Sequence, residues 1–93
     1  MSESRRERYA NITTATTTVV KSAPGVLWQI VVNKPASAST ITLYDNTAGS
    51  GTKIGTITNT TDLKPYRFEY GCRFETGLTI VTSGADDITV IYG

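Results

Sequence analysis

Threonine recurs in clusters at 13–18, 40–42, 56–61 and 76–82, interleaved with valine and isoleucine. Between these clusters stand breaks rich in Gly, Pro, Asn and Asp, such as Ala23-Pro24-Gly25 and Asn46 through Gly51. A β-branched side chain loses rotamer freedom in a helix and fits the pleat of a sheet, so this composition drives the chain into strands. No segment carries a helical period strong enough to compete.

Reading period two along the chain places the strands. Residues 12–21 read as one strand with Ile12, Thr14, Thr16, Thr18 and Val20 on one face. Residues 26–34 put Val26, Trp28, Ile30 and Val32 on the more apolar face and, being partly apolar on both, read as a central strand. In 39–45, Ile41 and Leu43 alternate inward while Thr40, Thr42 and Tyr44 face away. Residues 52–58 hold Ile54 and Ile57 at opposite parity, which a bulge at Gly55 would reconcile. Residues 59–65 are polar and irregular, a connection long enough to cross the top of a sandwich.

The clearest alternation is 66–75, YRFEYGCRFE: Tyr66, Phe68, Tyr70, Cys72 and Phe74 on one face, Arg67, Glu69, Arg73 and Glu75 on the other. Residues 78–83 and 88–92 then read as a closing hairpin, with Leu78 and Ile80 against Ile88 and Val90. About eight short strands at a spacing of roughly 8 to 12 residues make an all-β fold, a small antiparallel β-sandwich or jelly-roll-like domain. That domain spans 11–93. Residues 1–10, with Glu3, Arg5, Arg6, Glu7 and Arg8 and no apolar residue between Ser2 and Arg8, read as a flexible charged arm.

Several function classes lose their parts at this level. The chain has no His and a single Cys, which removes the usual zinc ligand sets, an intramolecular disulfide, and the middle member of Ser-His-Asp and Cys-His arrangements. The net charge of +1 provides no field for nucleic acid or an anionic membrane. No stretch approaches the roughly 18 apolar residues of a membrane span. Asp86-Asp87 reads as turn chemistry and not a cation site, because consecutive carboxylates in a strand diverge. Cys72 shares its face with aromatic residues, away from the charges that would activate it, and reads as a small core hydrophobe. The reading is therefore of a non-enzyme with no catalytic, cofactor-binding or metal-binding residue. A chain of 93 residues builds a thin core, and self-association is a usual remedy. The candidate subunit or partner contacts are Arg5, Arg6, Arg8 and Tyr9 on the arm, and Arg67, Glu69, Arg73 and Glu75 on the charged face.

The segments LWQIVVNK, STITLYDNTAGSGTKIGTI and FETGLTIVTSGADDITVIYG together resemble a pattern in small virion proteins of tailed bacteriophages. Its elements are an apolar strand ending in Asn, a T-x-T-L-Y-D-N strand and turn, a G-T strand, and G-L-T-I-V-T-S-G closing with T-V-x-Y; the resemblance covers roughly residues 26–93. It implies a head decoration (cement) protein, made in the bacterial cytoplasm and carried on the outer capsid surface, often as a trimer that ties major capsid protein subunits together. It carries over no catalytic residue, and the residues themselves call for no cofactor, nucleic-acid or membrane partner. An alternative is a tail or fibre-associated module that binds a host-surface glycan, with Trp28, Tyr44 and Tyr92 as the aromatic candidates.

Overall fold

A computed structural model of the chain describes residues 7–59 and 64–93. Among them the strands are β1 (Arg8–Ile12), β2 (Thr17–Lys21), β3 (Gly25–Lys34), β4 (Thr40–Asp45), β5 (Thr52–Thr58), β6 (Tyr66–Phe74), β7 (Leu78–Thr82) and β8 (Asp87–Tyr92). They form two antiparallel four-stranded sheets, ordered β1-β8-β3-β6 and β2-β7-β4-β5. The order follows from one operation. Folding the strand series at its midpoint pairs β1 with β8, β2 with β7, β3 with β6 and β4 with β5, and rolling that ribbon adds the β3-β8 and β4-β7 pairings. The result is a jelly roll, in which each sheet covers the apolar face of the other.

The core lies between the sheets. Leu27, Ile30 and Val32 of β3, Ile88 and Val90 of β8 and Phe74 of β6 meet Ile41 and Leu43 of β4, Leu78 and Ile80 of β7 and Ile57 of β5. The alternation read for β4 holds as expected. So does the bulge in β5: Leu43 pairs Gly55 while Tyr44 pairs Lys53, and the extra residue lets both Ile54 and Ile57 reach the core.

Four expectations change. Residues 12–21 are not one strand: the chain leaves the first sheet after Ile12 and enters the second at Thr17. The Thr82 hydroxyl makes this crossing possible by donating to the Thr14 carbonyl at 2.7 Å and accepting the Thr16 amide at 3.1 Å, replacing ladder bonds lost at the corner. Residues 8–10 of the expected arm belong to a strand, because Arg8, Tyr9 and Ala10 pair with Tyr92, Ile91 and Val90, and Ala10 packs on the core; residues 1–6 lie outside the described residues. The charges ahead of Tyr9 hide this pattern in the sequence.

In β3 the inward residues are Leu27, Ile30 and Val32, not Val26 and Trp28. The pairing shifts between Leu27 and Gln29 against both neighbours, so parity reverses there and Trp28 is left half-buried off the core. Lastly, β7 and β8 are consecutive but lie in opposite sheets, and no hairpin forms. Their apolar rows do meet, across the core and not along a ladder. Of the irregular connection expected over 59–65, residues 60–63 lie outside the described residues.

Candidate functional site

The outer face of the β1-β8-β3-β6 sheet collects most of the residues singled out from the sequence. Register aligns them in two transverse rows: Asn11, Thr89, Val31 and Arg67 in one, and Tyr9, Ile91, Gln29 and Glu69 in the other. Tyr9 is 73% exposed at the β1 edge, and Arg67 and Glu69 stand at the opposite edge on β6. Three strand spacings separate the two edges, roughly 14 Å. Arg73 continues the β6 line, and Glu75 follows it just past the strand end. Arg8 turns to the other side of β1, opposite Tyr92. Arg5 and Arg6 lie outside the described residues.

A polar ladder stiffens this face. The Asn11 amide donates to the Asp87 carboxylate and the Ile88 carbonyl, both at 2.8 Å, and the Asn33 amide donates to the Thr89 hydroxyl at 2.9 Å and to Asp87 at 3.3 Å. Side chains of β1, β8 and β3 are thus tied together on the surface, over and above the backbone ladder. Sequence reading missed Asn11 and Asn33, whose only signal was that each falls at a solvent-facing parity next to a polar strand.

On β6 the charges pair along their own strand, Arg67 Nε with Glu69 Oε2 and Arg73 Nε with Glu75 Oε2, each at 3.8 Å. All four side chains are well over half exposed, so these contacts are loose and add little to stability. The thiol lies on the other face, as the alternation says: Cys72 sits opposite Leu27 and packs against the core. Burial, and then the nearby Asp45 charge, push its pKa up, which reduces the thiolate fraction at neutral pH. Phe68 belongs to the same inner row but lies at the sheet edge, 43% exposed, with its ring edge-on to Tyr66 at 5.4 Å.

The two consecutive aspartates do diverge. Asp87 joins the surface ladder, whereas Asp86 is fully buried and accepts the Ala36 amide at 2.7 Å, the Ser39 hydroxyl at 2.8 Å and the Asn59 amide at 2.7 Å. Tyr66 donates to the side-chain amide oxygen Oδ1 of Asn59 and extends the network to β6. Burial, followed by the Asp86 charge, raises the pKa of Tyr66, so the phenol stays a donor. This cluster joins the 35–39 and 83–86 connections to β6, and its role is structural. Among the described residues no group of three or more acidic, Cys or His side chains is placed to hold a metal.

Asp45 performs a similar task at the other end. Its carboxylate accepts the amides of Glu75, Thr76 and Gly77 at 2.9, 2.8 and 3.4 Å, holding the turn that carries Glu75. These bonds, that from Glu75 first, lower its pKa below 3.8. A carboxylate depressed on folding stabilises the fold fully above its unfolded value and loses that contribution as pH falls through the folded one. Asp45→Asn is accordingly expected to lower the urea midpoint at pH 7, with the gap from wild type closing below about pH 4. A gap independent of pH would contradict this assignment.

Comparison with protein-family models, with curated proteins and with solved structures returned no significant match. The functional reading therefore rests on the sequence resemblance over residues 26–93 together with the geometry of this face. The geometry gives the glycan alternative little support, since its three aromatic candidates are not brought together. Trp28 lies off the core on β3, Tyr44 is on β4 of the other sheet, and Tyr92 packs against the interior.

Proposed function

We propose that the chain is a non-enzymatic structural protein of a tailed-phage virion, a head decoration (cement) protein that self-associates and bridges major capsid protein subunits. The observation that carries this reading is the outer face of the β1-β8-β3-β6 sheet. There Tyr9, Ile91 and Val31 form a small apolar strip braced by the Asn11, Asn33, Asp87 and Thr89 ladder. An apolar strip on a stiff sheet with charged borders has the make-up of a protein contact, apolar at its centre and polar at its rim. The role needs no chemistry from the chain. Weak contacts repeated over a shell add up through multivalency, so a small rigid domain is sufficient.

On symmetry the resemblance points to a trimer, whereas the charge order of the β6 edge favours a two-fold contact. The test uses phage heads produced without this chain. Purified protein is expected to pellet with them, and Tyr9→Asp, which puts a charge in the apolar strip, is expected to weaken that binding about tenfold or more. Protein that stays in the supernatant over intact heads would sink the proposal.

A further inference from the structure

The β6 edge has a charge order that is its own complement. Its outer side chains run Arg67, Glu69, Gly71, Arg73, Glu75. Reversed about Gly71, as an antiparallel two-fold requires, Glu69 falls opposite Arg73 and Arg67 opposite Glu75, so every charge meets its opposite, twice over. Among the described residues this edge of the sheet has no neighbouring strand, and the contacts of the four charges along their own strand are loose. An edge strand offers unpaired backbone groups to a second chain.

Two further observations bear on a partner here. Gly71 holds a positive φ of 61° where β6 carries one residue more than β3, so the ladder is interrupted at the axis and the pairs on either side of it carry the contact; an added Cβ there would meet nothing within 4 Å in the chain itself. Phe68 is a large aromatic left 43% exposed on the inner side of this same edge. Antiparallel pairing about Gly71 places Phe68 opposite the partner copy's residue 74 position and covers it.

We propose that β6 pairs antiparallel with β6 of a second copy of this chain, about a two-fold axis at Gly71, joining the two β1-β8-β3-β6 sheets into one of eight strands. Opposite charges directly across an antiparallel pair attract, and like charges there repel. The inner pairs, Glu69 with Arg73, fix the register, and the outer pairs, Arg67 with Glu75, act at the strand ends. The contact is isologous and closes at two chains. This inference rests on the self-associating part of the reading above and not on binding to a shell.

Sedimentation velocity of the purified full chain, from about 5 to 200 μM, tests it. Wild type is expected to reach twice the chain mass. Arg73→Glu, which sets Glu against Glu at both inner pairs, is expected to raise the dimer Kd at least tenfold, and Glu69→Arg to do the same through Arg against Arg. The double variant Glu69→Arg/Arg73→Glu restores opposite charges and is expected to dimerise within about threefold of wild type. Val19→Glu, at an exposed position on β2 at the far edge of the other sheet, is expected to leave the equilibrium unchanged. A wild type that stays monomeric across the range, a species of three chains, indifference to Arg73→Glu, or a double variant that fails to recover would each overturn the two-fold. Binding to heads is scored separately, so loss of that activity with an intact dimer counts against the shell and not against the edge.

Discussion

Asp86→Ala is expected to cost about 3–5 kcal/mol, a large share of the roughly 5–10 kcal/mol that holds a domain of this size. The carboxylate is fully buried, and its loss leaves the Ala36 amide and the Asn59 amide without the acceptor they reach at 2.7 Å. Ser39 is less affected, because its hydroxyl can turn to the Ala36 carbonyl at 2.9 Å. Asp86→Asn separates hydrogen bonding from charge. With its oxygen in the Oδ1 position the amide still accepts from Ala36 and Asn59, and its nitrogen can donate to the Ser39 oxygen that lies 2.9 Å from Oδ2. The expected cost is then only about 1–2 kcal/mol. Urea denaturation followed by tryptophan fluorescence measures both. Equal losses for Ala and Asn would mean that the charge, and not the hydrogen bonds, holds the cluster together.

Phe74→Ala is expected to have a comparable effect through a different mechanism. Phe74 is fully buried at the end of β6, and it fills space that Gly25 leaves free, since a Cβ built on that glycine would come within 2.8 Å of the Phe74 ring. Truncation removes the largest fully buried side chain among the described residues and leaves a cavity between the sheets, at a cost of about 3–5 kcal/mol, whereas Phe74→Leu is expected to cost about 1–2 kcal/mol. The two sites are independent, so the Asp86→Asn and Phe74→Leu costs should add. A Phe74→Ala loss below about 1 kcal/mol would mean that the core closes over the gap, which close packing between two braced sheets argues against.

Much of the fold was legible because alternation is a local property. The β4 and β6 faces follow directly from period two, as does the position of Cys72 away from Arg67, Glu69, Arg73 and Glu75. Even the β5 bulge was visible, since Ile54 and Ile57 conflict without it. The errors arose where a non-local contact decides. Nothing within residues 26–34 announces the parity reversal at Trp28, which comes from fitting two neighbouring strands with different registers. The crossing at Thr14–Thr16 depends on Thr82, 66 residues from Thr16. Similarly, Leu78 and Ile80 match Ile88 and Val90 equally well along a ladder or across a core, and it is the pairing of β7 with β2 and β4, and of β8 with β1 and β3, that gives the second.

The candidate surface was legible in part for the same reason. Parity put the four β6 charges on one face, and the resemblance supplied the virion reading, but joining Tyr9 to that face required the β1-β8-β3-β6 order. Strand order is set by long-range pairing, which a single sequence does not display. The self-complementary charge order, by contrast, is written in residues 67–75, and becomes meaningful once β6 is known to be an edge.

The most direct test of the decoration role is the heat stability of the phage head. Heads made without this chain are warmed with and without purified protein, and release of DNA is followed by dye fluorescence. Decoration predicts saturable binding in many copies per head and a release temperature that rises with occupancy until the sites are filled. A release temperature unchanged at saturating protein would contradict the account.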